Sequence, residues 1–322
     1  MITVVKLLTQ KTLLPVMCIA FLAALLLPFA VITRSQGDGS RQIVLEEFTK
    51  ARPAAAATKT PSPTASKIKK PTTSAKGPRY IRKTPAVLVS LKANAEVMEI
   101  GVTIWRLRPG VGNDGGARVL VMEEARPTEW TPQRIEADTP LKVGERVRLS
   151  IESPRAGYLY VIDREQYADG SYGDAYLIFP TLRTRGGDNQ VRPGKLIDIP
   201  AQEDNPSYFT LVPSPSRSDQ VAEILSIIVT PEPIASLRLT DRPLKLSRAD
   251  VAQWEASGST QVERFEMVGG AGMPWSRVEM EASAAGSARI LTQEEPTPQT
   301  VYRIGSKSKG TFMITVPLRY GR

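Results

Sequence analysis

The chain has no histidine and one cysteine, Cys18, among its 322 residues. Catalytic triads that pass a proton through imidazole are thereby excluded, as are zinc sites built from histidine and thiolate. No disulfide can close within the chain. The C-terminal three-quarters also lacks a positive excess. Met1 to Lys83 carry 14 Lys/Arg against 3 Asp/Glu, whereas Thr84 onward carries 28 against 30, so the net charge of +9 belongs to the N-terminal part. A nucleic-acid surface needs a basic stripe on the folded body, and this distribution argues against one.

Charge is absent altogether between Lys11 and Arg34. The 22 residues Thr12 to Thr33, TLLPVMCIAFLAALLLPFAVIT, would extend about 33 Å as a helix, enough to cross a hydrocarbon core. Pro15 and Pro28 sit near the two ends, where a missing helical hydrogen bond is easiest to tolerate. Residues 1–11 read as a short basic N-terminus and 12–33 as a membrane anchor. No small-residue cleavage site follows the run, so the segment reads as uncleaved. Lys6 and Lys11 before an apolar run are how an export signal begins, and the folded region is expected outside the cytoplasm. Arg34, Arg41, Lys50 and Arg52 after the run pull toward the opposite orientation.

Residues 34–85 follow as a basic Pro/Ala/Thr/Lys-rich linker. From Arg52 to Pro85 there are six prolines, nine Lys/Arg and no acid. Such a composition buries too little apolar surface to offset its ordering entropy, which predicts a disordered stalk. Its lysines and arginines would hold it against anionic lipid or wall polymer.

Past Pro85 short apolar runs alternate with period two between Gly, Pro and Asp clusters, the pattern of strands. GYLYVID and EILSIIV are apolar on both faces and should be central. In ERVRLSIES, Val147, Leu149 and Ile151 face one side, and Arg146, Arg148 and Ser150 face water. AVLVSL, GVTIWRL, ARVLVM, AYLIFP, KLIDIP, SYFTLV, TVYRI and TFMITVPL complete the strand set. The expected architecture is mainly β, an antiparallel β-sandwich of immunoglobulin-like or related kind with a few short helices. Residues 86–235 form the sandwich core, and 236–322 form an extension with two helices and closing strands. Ser247 with Asp250 caps the first helix, and the second runs from Ser276 to Ala285, ending at Gly286.

Two glycine-rich stretches do not make nucleotide sites. RGGDNQVRPGKL ends Gly194-Lys195-Leu196, with Leu196 where a phosphate loop needs Ser/Thr, and it reads as a hairpin turn. GGAGMP at Gly269 lacks the third glycine of a dinucleotide turn. The densest chemistry lies in GYLYVIDREQYADGSYGDAYLIFP. It holds Asp163, Glu165, Asp169 and Asp174 in one hairpin with Tyr158, Tyr160, Tyr167, Tyr172 and Tyr176. The acid spacing does not match a helix-loop-helix calcium loop, so no metal or cofactor is expected. The bland reading is a solvated tip with packed tyrosines. The functional reading is that exposed Tyr167 and Tyr172, with Asp163, Glu165, Asp169 and Asp174, bind a partner protein or glycan.

The run VGERVRLSIESPRAGYLYVIDREQYADGSYGDAYLIFPTLRTRGGDNQVRPGKLIDIP resembles the bacterial family called domain of unknown function 4384. The likeness rests on the strand after Gly144-Glu145, the strand Gly157-Tyr158-Leu159-Tyr160, Phe179-Pro180, Asn189, Gly194 and Ile199-Pro200. It implies an accessory or sensing role and carries no catalytic residue over. The expectation is therefore a membrane-tethered, non-catalytic module of the cell envelope. A glycan- or wall-binding domain is the first alternative, and a carboxylate-dependent or serine-lysine hydrolase is the second.

Overall fold

Alternation of apolar and polar residues puts one row of side chains on each face of a strand, and the described residues fold mainly by that rule. The computed structural model describes residues 46–55, 78–84, 96–110, 115–123, 126–257, 262–306 and 310–321. All lie in the second of two compact units, Gly37–Arg322. The expected anchor at 12–33 and the expected strand AVLVSL fall outside the described residues. Among the described residues no helix is long and apolar enough to cross a membrane.

In chain order the elements are β1 (Tyr80–Arg82), β2 (Glu96–Pro109), β3 (Val119–Glu123), β4 (Arg126–Ile135), β5 (Arg146–Glu152), β6 (Gly157–Tyr167) and β7 (Tyr176–Phe179). Then come β8 (Gln190–Val191), β9 (Leu196–Ile199), β10 (Phe209–Thr210), β11 (Gln220–Thr230), β12 (Leu244–Lys245), α1 (Arg248–Ser257), β13 (Val262–Met267), α2 (Arg277–Ser283), β14 (Thr300–Ser306) and β15 (Phe312–Arg319). They make two antiparallel sheets. The nine-stranded sheet runs β1-β13-β14-β2-β4-β3, with β5 beside β2 and both β9 and β10 beside β5. The six-stranded sheet runs β12-β7-β6-β11-β15, with β8 beside β6.

One apolar cluster takes side chains from both sheets. Ile100, Val102, Ile104, Leu149 and Ile151 come from the first, and Leu159, Val161, Leu225, Ile227, Val229, Ile314 and Val316 from the second. Fully burying each such side chain contributes about 1.5–3 kcal/mol. β6 and β11 are central as expected, paired from Thr230 opposite Tyr158 to Gln220 opposite Tyr167. Their other face, with Tyr160, Ile162 and Ile228, is covered by Leu246 and by Val251 of α1. β14 pairs with β2 and β15 with β11, so residues beyond 236 complete both sheets. Ser247 caps α1 by accepting from the Asp250 amide at 3.1 Å. Ser276 and Glu279 form a reciprocal capping box on α2.

Three expectations need correction. The far face of β5 is not wet, because Arg148, Ser150 and Glu152 are all buried. α2 and the segments around Trp275 and Pro298 cover that side of the sheet. Alternation records the two faces of a strand but not what lies over them. RGGDNQVRPGKL is not a hairpin turn, because β8 pairs with β6 and β9 pairs with β5, which belong to different sheets. Its turn carries the chain across the core. Gly194, at φ +76°, is needed there, since a Cβ would lie 2.4 Å from the Leu291 carbonyl oxygen.

The third correction concerns the linker. Residues 46–50 are helical, Phe48 is buried against Tyr80, Phe265, Met267 and Val301, and β1 pairs with β13. Residues 46–55 and 78–84 thus belong to the folded body. Composition predicted disorder because it averages over the segment, whereas docking depends on Phe48, Arg52 and Tyr80 individually finding partners far along the chain.

Candidate functional site

β6 extends past the core, and its inward-facing row changes from Leu159 and Val161 to Asp163, Glu165 and Tyr167. β11 does the same, with Leu225 giving way to Glu223. Register places Glu223 opposite Glu165, and Leu225 opposite Asp163. Tyr320 closes this end, packing on the core and donating its hydroxyl to Glu223 Oε1 at 3.3 Å. Gln220 Nε2 donates to the same oxygen at 2.7 Å. Tyr176 of β7 stands opposite Asp163 and is exposed.

Three carboxylates this close cannot all stay charged at little cost. Burial pushes the Asp163 carboxyl up to about 7, with the negative charge of Glu223 adding to the effect. Glu223 is also raised, chiefly by burial. Asp163 Oδ1 is buried without a hydrogen-bond partner among the described residues. The Tyr167 hydroxyl donates to Glu165 Oε2, and this bond is the main reason its pKa is raised.

The other sequence-predicted residues lie apart from that cluster. Asp169 Oδ1 accepts from the Ser171 amide at 2.9 Å and from the Ser171 hydroxyl at 2.6 Å. These bonds hold its carboxyl below the usual range. Arg217 reaches Asp169 at 3.2 Å and Asp219 at 2.5 Å while lying 3.8 Å from the centre of the Tyr167 ring. Asp174 pairs with Lys245 at 2.5 Å. Tyr172 forms a bridge with Gln166, its ring lies under Arg164 at 4.6 Å, and it is 47% exposed. Tyr167, expected to be exposed, is only 6% exposed. It occupies the inward row, while Tyr172 sits beside Arg164 and Gln166 of the outward row. The hairpin therefore brings Asp163, Glu165 and Tyr167 together and separates them from Tyr172, Asp169 and Asp174.

Glu223, Tyr320, Tyr176 and Arg217 were missed as site residues. Glu223 opens the run EILSIIV on the same row as Leu225 and Ile227, and following that row to its first residue would have found it. Nothing local marks Arg217 or Tyr320.

A second polar assembly lies on the opposite side of the first sheet. Asp198 accepts from Arg148 Nη2 at 2.9 Å, Ser150 Oγ at 2.5 Å and Ser283 Oγ at 2.6 Å. Trp105 Nε1 donates to Ser150 Oγ at 2.8 Å, and Arg148 lies 4.4 Å from the Trp275 ring centre. Arg134 pairs with Glu279 at 2.5 Å and donates to the Thr297 carbonyl at 2.6 Å. All these side chains are buried, so this assembly ties α2 to the sheet. Among the described residues no cluster of three or more His, Cys, Asp or Glu is arranged to hold a metal ion.

Compared with protein-family models, curated proteins and solved structures, the chain matches none.

Proposed function

We propose that this protein is a membrane-tethered, non-catalytic interaction or sensing module of a bacterial cell envelope, with its two sheets stacked as an immunoglobulin-like sandwich. The shared core of the sheets supports the sandwich. The apolar run 12–33 supports the tether, the short basic N-terminus supports export, and the ordered motifs support kinship with domain of unknown function 4384.

One observation carries the interaction reading: the β6–β7 hairpin holds one exposed aromatic side chain on each face, Tyr172 bridged to Gln166 of the outward row and Tyr176 opposite Asp163 of the inward row, so a partner that clasps the hairpin meets both. Rings fixed on a rigid ribbon offer contact area at little entropic cost. The loop acids are neutralised by Arg217 and Lys245 rather than set across a cleft from one another, which favours recognition over carboxylate chemistry. A glycan is the second reading, favoured by Tyr176 standing beside Asp163, since a ring face and a hydrogen-bonding acid together suit a sugar.

The test is a photo-cross-linking residue replacing Tyr172 in the intact protein in living cells, with polysaccharide pull-down in parallel. A defined protein or glycan product that disappears when Tyr176→Ala is added, with the melting temperature unchanged, is the expected result. Identical products with and without Tyr176 would overturn the assignment of this hairpin.

A further inference from the structure

RGGDNQVRPGKL lacks the pattern of a phosphate loop, yet it gathers cations whose charge the fold does not neutralise. Arg185 opens a single 3-10 turn, Arg185–Gly187. Among the described residues it is the only one other than glycine with a left-handed backbone, at φ +51°, so an arginine sits here at a conformational cost that glycine would not carry. Its side chain is only 7% exposed. Nε and Nη1 are both buried without a hydrogen-bond partner, and no other side chain among the described residues has two such atoms. Nη2 reaches Asp188 Oδ2 alone, at 3.4 Å. The buried Arg134 and Arg148 each lack a partner only at Nε. A guanidinium removed from water with two of its three nitrogens unsatisfied is costly to hold.

Lys195 brings a second buried cation to the same segment. Its Nζ donates to the carbonyls of Ala284 and Ser287 at 2.9 and 3.1 Å, which occupies two protons without cancelling the charge. Among the described residues no carboxylate pairs with Lys195 or with the exposed Arg192. Burial pushes the Lys195 ammonium below its usual value, and the positive charges of Arg185 and Arg192 push it further. Two acids oppose them. Asp198 is already held by Arg148 at 2.9 Å, and Asp188 is half exposed. Three cations therefore face one available carboxylate.

We infer that Arg185, Arg192 and Lys195 form a binding site for a phosphate dianion, free or carried as a monoester, which enters by displacing the Asp188 carboxylate from Arg185. Phosphate at neutral pH carries between one and two negative charges and three strong acceptor oxygens. It thus supplies both the charge and the hydrogen-bond acceptors that Arg185 lacks, where a single carboxylate supplies less of each. The long, exposed contact to Asp188 is the weakest link around the guanidinium and the natural point of entry. β8 lies between Asp188 and Arg192 and pairs with the start of β6, so the site is at the other end of that strand from the Tyr172–Tyr176 hairpin. It does not rest on the interaction reading above.

The experiment is calorimetric titration of the full chain, in a non-ionic detergent and phosphate-free buffer, with inorganic phosphate at an ionic strength held constant by chloride. Thermal unfolding is followed on the same samples. Saturable binding that raises the melting temperature is expected, lost in Arg185→Gln, weakened several-fold in Arg192→Gln and tightened several-fold in Asp188→Asn, where the competing charge is gone. Arg192 is exposed, so Arg192→Gln keeps the test decisive if Arg185→Gln does not fold. Glycerol 3-phosphate binding as tightly as inorganic phosphate assigns a monoester ligand; inorganic phosphate binding alone assigns the free ion. Acetate and dimethyl phosphate, each singly charged, should bind several-fold more weakly, and equal binding of either overturns the dianion assignment. Absence of saturable phosphate binding, or binding unchanged in both Arg192→Gln and Asp188→Asn, overturns the site.

Discussion

Arg52 and Glu152, one hundred positions apart, meet in a two-pronged ion pair of 2.7 and 2.6 Å with both side chains almost wholly buried. The remaining guanidinium protons go to the carbonyls of Thr292, Glu295 and Pro296 at 3.0–3.1 Å. A residue that composition assigns to a stalk therefore locks residues 46–55, the end of β5 and the segment before β14 into one body. Replacing Arg52 with Ala strands a buried carboxylate, and the expected loss is about 3–5 kcal/mol of stability in denaturant titrations. Pairing Arg52→Met with Glu152→Leu should recover most of that loss; equal destabilisation by the single and double changes would show that the pair is not coupled.

Asp198 is the hub of the other buried assembly and should behave similarly. Asp198→Asn leaves Arg148 without its counter-charge and costs about 3–5 kcal/mol, whereas Ser283→Ala removes one hydrogen bond and costs about 1–2 kcal/mol. If the two variants unfold at the same urea concentration, Arg148 is not relying on Asp198.

Asp163 gives a pH dependence of fixed sign. Its carboxyl titrates near 7 in the folded protein and near 4 in an unfolded chain. The native state thus binds the proton more tightly, and stability falls as pH rises between those values. Asp163→Asn should flatten that slope and raise stability at pH 8 by on the order of 2 kcal/mol, less than the full shift because the carboxyl is not wholly shielded. Glu99, also pushed up to about 7 by burial, contributes a slope of the same sign, which Glu99→Gln should remove separately. Thermal melts from pH 4 to 9 on both variants check this, and an unchanged slope in Asp163→Asn would assign the dependence elsewhere.

Gly194→Ala should destabilise by about 2 kcal/mol or more, from a left-handed backbone and a clash with Leu291. The same change at Gly269, where φ is +75° and no atom lies within 4 Å of the added Cβ, carries only the conformational cost of about 1 kcal/mol. Differential melting of the two variants separates steric from conformational effects.

Local pattern was enough to place much of this protein. The central position of β6 and β11 was legible because an apolar residue at nearly every place leaves no face for water. The cap at Ser247 was legible because hydroxyl, carboxylate and spacing all lie within four residues. Absence of histidine by itself bounded the chemistry, since no fold can supply an imidazole that the chain does not contain.

Tertiary structure alone decided the rest, for one physical reason: a polar side chain's environment is set by what crosses over it, often from a hundred or more residues away. Arg146, Arg148 and Ser150 read as a wet face, yet Arg148 and Ser150 are buried under α2 and the segment at Trp275, and only Arg146 keeps partial exposure. Tyr167 and Tyr172 read as one patch until the hairpin turns them to different faces. Glu223 joins Asp163 and Glu165 only through the pairing of β6 with β11. Phe48 and Arg52 were inseparable from a disordered linker by composition, because two docking side chains barely alter an average, and only their distant partners make them part of the fold.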